Sequence, residues 1–339
     1  MRRFVFALFA TAVLLLLAVP AQADPGGVSR FATLPPGPGH PEGIAADASG
    51  NIYVATFEFP PATNKIHVFG PDGQLKFSIT VGFSPLGMIF GADGALWVAD
   101  FGNGDVHKFT PPFTSSSAPA ATINVCDGPA VPDAADVCGL NAFAFDAGGN
   151  LYVSDSFGGR IFLIPAGGST ASTFFADPLL QPGSHAFPPF GANGIAFAPD
   201  GTALLIANTG DDRILKLALA TMTLTTFAES VNGPDGILFD GQGRLWIAAN
   251  QADQLVALNA NGRVVAQRGS FSGIGPDGAP RGLLFPASTV LRQGAIFVTN
   301  TALALTPAVG DEPEEDVTKF TVSRVPLGRA GASDGDAGD

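Results

Sequence analysis

Four oxygen-bearing side chains occupy one recurring position in this sequence, and together they could hold a hard cation. The position precedes a repeated glycine (alanine in the third copy) in PEGIAADASGNIYVAT, PLGMIFGADGALWVAD, LNAFAFDAGGNLYVSD, ANGIAFAPDGTALLIAN and PDGILFDGQGRLWIAAN. A sixth, worn copy begins at PRGLLFPAS and resumes at GAIFVTN. The position reads Glu42, Leu86, Asn141, Asn193, Asp235 and Arg281. Equivalent positions of a closed ring converge on its axis, so two carboxylates and two amides distant in sequence would meet there. That donor set suits Ca²⁺ first, with Zn²⁺, Mn²⁺ or Mg²⁺ as alternatives. The competing reading is that Asn and Asp before Gly only make turn hydrogen bonds. Leu86 shows that the position itself does not demand a polar residue.

Other chemistry-bearing residues fall into three groups. Strand ends carry Thr56, Asp100, Asp155, Asn208, Asn250 and Asn300, which read as caps of the following turns, with Asp155 and Asn208 as candidates for substrate contact. Asp47, Asp93, Asp146, Asp200 and Asp240 read as turn formers. Of the four histidines, His67 and His107 sit in third strands and read as structural. His40, two residues before Glu42, and His185, in an insertion, are substrate-contact candidates. No zinc spacing, phosphate loop or C-x-x-C is present.

The elements that must position these residues follow from the period. The marked positions recur about every 42–55 residues, in strand-rich rather than helical sequence, which indicates propeller blades. Each copy reads as strand, Asp-x-x-Gly turn, strand, polar turn, strand, Asn/Asp-Gly turn, strand. Such turns tolerate positive φ and suit tight hairpins. The expectation is an all-β chain, a six-bladed β-propeller of four-stranded antiparallel blades. Residues 24–40 would complete the last blade, and Thr318 to Val325 would be its outer strand. Long insertions (Pro111–Gly139, Ala176–Ala192 and Ser270–Pro280) would open on the face where the first strands begin.

Composition agrees. Of 339 residues, 43 are Gly and 28 Pro, only 14% are charged and 46% are hydrophobic, which suits short strands joined by tight turns. Arg2 and Arg3, an apolar run from Phe4 to Pro20 and Ala21-Gln22-Ala23 read as a secretory signal peptide over 1–23. The expected division is signal peptide 1–23, propeller domain 24–327 and disordered acidic tail 328–339. The destination is the periplasm or the extracellular space, with no stable membrane span after cleavage. A net charge of −13 excludes nucleic acid as a partner. Cys126 and Cys138, close together in an exported chain, are expected to form a disulfide.

At PEG (Pro41–Gly43), ANGIAFAPDG (Ala192–Gly201) and PDGILFDGQGRLWIA (Pro234–Ala248), the chain resembles the senescence marker protein/gluconolactonase (regucalcin-like) family of six-bladed propellers. Its repeats also resemble NHL repeats. The resemblance implies that Glu42, Asn193 and Asp235 bind a divalent cation. It also implies that Asn141 contributes to the metal or substrate site and that Asp235 activates water or attacks directly. The chain departs from the sugar-lactonase pattern, which has Arg where Gly139 stands and an acidic residue or glycine where Ala142 stands. Two functions follow. The first is a metal-dependent hydrolase of a small-molecule lactone or related ester, with Arg281 binding a substrate carboxylate or leaving group, or pairing with Glu42 or Asp235. The second is a non-catalytic NHL-like propeller that binds a protein, glycan or small ligand. A lyase, with His40 or His185 as its base, is a third.

Overall fold

The computed structural model describes residues 27–37, 39–58, 63–131, 137–184, 186–306 and 312–327. The expected signal peptide, the acidic tail and His185 lie outside them. Among the described residues, no helix is long and apolar enough to cross a membrane.

Six four-stranded antiparallel sheets stand around a central axis. Their innermost strands are His40–Ala46, Pro85–Phe90, Leu140–Phe145, Ala192–Phe197, Pro234–Phe239 and Pro286–Arg292, in blades 1 to 6. Each innermost strand touches the next around the ring, and the last touches the first. A six-bladed propeller is therefore the fold, as the repeat period predicts.

Two expectations about connectivity are corrected. The strand Thr321–Pro326 is third, not outermost, in blade 6; the outermost is the N-terminal strand Ser29–Thr33, paired with it from Ser29↔Arg324 to Thr33↔Thr321. Residues before His40 thus do complete the last blade. The segment Pro111–Gly139 also splits in two. Its first part links the third and fourth strands of blade 2 (Asp105–Phe109 and Ala121–Asn124) on the far face, where Phe113 meets Tyr53 and Phe90 edge-on. Only its second part opens on the face where the first strands start.

The core is six separate apolar layers, one between each pair of neighbouring blades. Strand alternation sends Ile66, Val68, Leu96 and Val98 into the layer between blades 1 and 2, all fully buried. Each such side chain contributes roughly 1.5–3 kcal/mol by leaving water. The Asp-x-x-Gly turns earn their conservation of pattern by a shared geometry. Asp240 Oδ1 accepts from the amides of Gln242 and Arg244, and Oδ2 accepts from Arg244 Nε (2.7 Å) and Trp246 Nε1 (2.8 Å). Asp47 and Asp146 hold Asn51 and Asn150 the same way. Asp93 and Asp200 accept from Ala95 and Thr202, so all five are turn formers.

Ring closure rests on the N-terminal strand, and Ala32 sits buried in the layer between blades 6 and 1. Ala32→Asp is expected to lower unfolding stability by about 3 kcal/mol, because it puts an unpaired charge into that layer. Thr33→Asp, at an exposed position of the same strand, is expected to cost under about 0.5 kcal/mol. Denaturant melts of the two variants check this.

Candidate metal centre

Every innermost strand carries a β-bulge at the same place. The register shifts between Pro41 and Ile44, Pro85 and Met88, Leu140 and Phe143, Ala192 and Ile195, Pro234 and Ile237, and Pro286 and Thr289. The bulged pair contains the marked residue, and a bulge re-aims a side chain away from the regular pleat. The glycine that follows has a steric reason. A Cβ on Gly43 would collide with the Leu86 carbonyl oxygen, one on Gly87 with that of Asn141, and one on Gly194 with that of Asp235. Each blade's bulge thus packs on the backbone of the next marked residue.

Glu42, Asn141, Asn193 and Asp235 all line one pocket on the axis, and all four are buried. The sixth position is Ala287, not Arg281. The true sixth copy starts at Pro286, and Arg281 lies exposed in a two-stranded ribbon (Phe271–Ile274 with Pro280–Gly282) outside that lining. It pairs with neither Glu42 nor Asp235 among the described ion pairs.

On each second strand, the residue that follows the one paired opposite the start of the bulge forms another ring: Phe57, Phe101, Ser156, Thr209, Asn250 and Thr301. Of these only Asn250 was marked from sequence, and it was placed one residue out of register: Ala249, not Asn250, pairs opposite Pro234. Ser156 Oγ donates to Ala192 O (2.8 Å) and accepts from Asn141 Nδ2 (3.2 Å). Thr209 Oγ1 donates to Pro234 O (2.8 Å) and accepts from Asn193 Nδ2 (3.0 Å). A hydroxyl whose proton goes to a carbonyl can only accept from the amide. Each asparagine is therefore braced through its Nδ2, and both Oδ1 atoms are left for the pocket. Thr301 Oγ1 donates to Pro41 O (2.6 Å), and Asn250 Nδ2 donates to Asp235 Oδ2 (3.2 Å). In sequence the only signal was a Ser or Thr one step past a capping Asp or Asn.

Asp155 and Asn208 do not reach the pocket. Asp155 Oδ1 accepts from the amides of Gly139, Phe157 and Gly158, and its Oδ2 pairs with Arg160 Nε at 2.8 Å. Asn208 Nδ2 donates to the carbonyls of Leu179 and Gln181. Both brace inter-blade loops. His40 does line the pocket. Its Nδ1 donates to Thr301 O (2.8 Å), which leaves Nε2 as a free acceptor. His67 and His107 bond Ser78 and Thr122 within their own blades.

Electrostatics leave two buried carboxyl groups uncompensated at the axis. Burial first, then the Asp235 charge, holds the Glu42 carboxyl well above its ordinary range. Burial pushes Asp235 up to about 7 despite hydrogen bonds from Asn250 and Asn193. Glu42 Oε2 and Asp235 Oδ1 are buried without a hydrogen-bond partner. Below them Ile44, Met88, Phe143, Ile195 and Ile237 form a buried apolar floor. Two carboxylates in so dry a place repel each other, and two amide oxygens add no positive charge. An all-oxygen donor set with two negative charges fits a hard divalent cation. A second group, Asp100, Asp105 and His107, brings donor atoms within 4.8 Å of one another. There Asp100 already accepts from Ser84 N, Gly102 N, Asn103 N and Asn103 Nδ2, so its oxygens are engaged.

The expected Cys126–Cys138 disulfide is present, with a Cα–Cα distance of 6.2 Å. It closes the loop that ends at Gly139, where a Cβ would meet the Phe101 and Phe157 rings.

Two predictions follow from this scaffold. Thr209→Val strands the Asn193 amide and the Pro234 carbonyl, and is expected to cost about 1–3 kcal/mol in a denaturant melt. Asp253 braces the pocket residue Phe285 by accepting from its amide at 2.8 Å. Burial pushes its carboxyl up to about 6. A raised carboxyl binds protons better in the folded state, so this residue's contribution falls as pH rises from about 4 to about 6. Asp253→Asn is expected to match wild type at pH 4 and exceed it by about 1 kcal/mol at pH 7.5, given partial exposure.

With the geometry in place, comparison with known proteins gives a consistent picture. A search of curated protein sequences gave no match. Similar solved structures include a luciferin-regenerating enzyme (17% identity, TM-score 0.63, covering 86% of this chain and 92% of that one). A gluconolactonase from Xanthomonas campestris aligns at 13% identity and TM-score 0.63, over 91% of this chain and 92% of that one. A calcium-binding protein, regucalcin, from Agrobacterium tumefaciens aligns at 17% identity and TM-score 0.56, over 88% and 99%. At these identities the likeness is one of fold. The family model for the SMP-30/gluconolactonase/LRE-like region matches residues 187–268, the stretch that carries Asn193, Thr209, Asp235 and Asn250.

Proposed function

We propose that this protein is an exported hydrolase of the gluconolactonase type, which opens a lactone or related ester with the help of a divalent cation on the propeller axis. The observation that carries the reading is the pair of buried, unpartnered carboxylate oxygens, Glu42 Oε2 and Asp235 Oδ1, facing one pocket together with Asn141 and Asn193. Glu42, Asn141, Asn193 and Asp235 would hold the ion, most naturally Ca²⁺. When bound, such an ion polarises an ester carbonyl and makes a neighbouring water more acidic.

The chain's own groups divide the remaining work. Ser156 and Thr209 fix the amide rotamers, so that oxygen rather than nitrogen faces the pocket. Asn250 holds one oxygen of Asp235 and leaves the other to accept a proton from water. His40 Nε2, with its partner nitrogen anchored on Thr301 O, is a second proton acceptor at the pocket wall. In the hydrolysis, water adds to the acyl carbon, the ring C–O bond breaks, and the leaving oxygen takes up a proton. On the side away from the loops the axis is lined by the apolar Ile44, Met88, Phe143, Ile195 and Ile237. Two further features support the reading: the family-model match over blades 4 and 5, and fold neighbours described as a gluconolactonase and a calcium-binding regucalcin.

The test is a thermal melt of the mature protein in EDTA and with Ca²⁺, Mg²⁺, Mn²⁺ or Zn²⁺ restored, alongside Glu42→Gln and Asp235→Asn. A cation at about 100 times its Kd is expected to stabilise wild type by about 2.7 kcal/mol. Both variants should lose that response, yet melt at or above wild type in EDTA because the like-charge pair is gone. Asp235→Asn should also lower lactone turnover at least about 100-fold. Absence of any shift with all four ions would overturn the metal reading and leave the binding-platform alternative.

A further inference from the structure

We infer that the axial pocket takes an uncharged, largely apolar lactone or ester, with its acyl or aryl part seated against Phe57, Leu86, Phe101, Phe190 and Leu303. The inference rests on the hydrolase reading above and names its substrate class.

Three observations carry it. First, the pocket is two-sided. The ring of residues above the marked positions is Ser156, Thr209, Asn250 and Thr301 over blades 3 to 6, but Phe57 and Phe101 over blades 1 and 2. Beneath Phe101 the marked residue is Leu86, beneath Phe57 it is Glu42, and Phe190, Leu303 and Leu305 add to the apolar lining. One small chamber thus joins a ring of oxygens to a wall of phenyl rings and leucines. A carbonyl joined to a hydrocarbon arm matches that division.

Second, the hydroxyl donors of the polar ring are already committed. Ser156, Thr209 and Thr301 direct their hydroxyl protons to the carbonyls of Ala192, Pro234 and Pro41. Asn250, Asn141 and Asn193 direct their amide nitrogens to Asp235, Ser156 and Thr209. Against Phe57, Leu86, Phe101, Phe190, Leu303 and Leu305 the hydroxyls of a polyhydroxylated substrate would lose their water and find no partner, which is costly. Among the described residues no lysine or arginine lines the chamber, so a carboxylate- or phosphate-bearing substrate meets no fixed cation there.

Third, the apolar wall is pre-formed. Phe57 meets Phe101 edge-on at 5.7 Å, Phe101 meets Phe157 at 5.4 Å, and Phe157 stacks on Phe190 at 5.7 Å. Gly139, next to the bridged Cys138, packs under the Phe101 and Phe157 rings. The chain of rings spans the faces of blades 1 to 3 and the loop into blade 4. A wall that is ordered beforehand binds hydrocarbon with little conformational cost.

The experiment compares γ-butyrolactone, γ-hexalactone, γ-octalactone and γ-decalactone with glucono-δ-lactone as substrates of the mature protein with Ca²⁺. In parallel, calorimetry measures binding of non-hydrolysable 2-alkylcyclopentanones of increasing chain length. Wild type and Phe190→Ala are both examined, and a Ca²⁺ melt of the variant confirms that it is folded. The expected result is a kcat/KM that rises about fourfold per methylene over the first few carbons, the ratio that burial of a methylene gives. Glucono-δ-lactone is expected to fall at least about 100-fold below γ-octalactone. Phe190→Ala is expected to flatten the chain-length slope of both turnover and ketone affinity. A preference for glucono-δ-lactone would overturn the inference while leaving the hydrolase reading intact. Ketone binding with a chain-length slope but no turnover of any lactone would support the apolar chamber and overturn the hydrolase reading. Absence of both turnover and ketone binding would overturn the inference.

Discussion

Six innermost strands meet at the axis so closely that the bulge of one blade rests on a backbone carbonyl of the next. This contact sets the geometry of everything inside the ring. It demands glycine at positions 43, 87 and 194, because any larger residue would push the neighbouring strand away. It also turns the residue before the glycine inward, whatever its chemistry. The fold therefore supplies six inward-pointing positions, and the sequence fills four of them with oxygen. In the two blades without that glycine, a second-strand hydroxyl accepts the bulge amide instead: Ser154 from Ala142 and Thr299 from Ser288.

The chemistry of the axis follows from what surrounds those oxygens. Carboxylates exposed to water would ionise at acidic pH and interact weakly. Here an apolar floor lies below and phenyl rings stand to one side, so the charges of Glu42 and Asp235 are poorly screened. The hydroxyls that brace the asparagines also tie blade 3 to blade 4 and blade 4 to blade 5, so the binding geometry and this part of the ring are held by the same bonds. Disturbing one should disturb the other.

Much of this was legible in the sequence, and the failures have identifiable causes. Glu42, Asn141, Asn193 and Asp235 could be found because a fixed offset from a glycine, repeated at blade period, survives sequence divergence elsewhere. The Asp-x-x-Gly turns were equally plain. Arg281 misled because PRG imitates the start of a blade, while the real strand begins with Pro286-Ala287-Ser288, which lacks the glycine. Asn250 misled because blade 5 has Ala249 where the other blades carry Thr, Asp or Asn, so the nearest polar residue stands one step later. The bracing hydroxyls Ser156, Thr209 and Thr301 were passed over because their partners lie on the next blade, a relation that no single repeat contains. The far-face hairpin near Phe113 was likewise invisible, since an insertion's length does not tell which turn it enlarges.

The pairing of Ser29–Thr33 with Thr321–Pro326 joins the two ends of the chain. A ribosome delivers the N-terminal strand first, and its partner only when nearly the whole domain has been made. Until then that strand has no sheet to enter, and the edge of the last blade is open. Contacts of such long sequence separation also form slowly, because the entropy of closing the loop must be overcome before the pairing is gained. An architecture closed in this way holds its own completion in reserve. Blades 1 to 5 can assemble as they emerge, whereas the seam waits for the final residues and then locks the ring in one step.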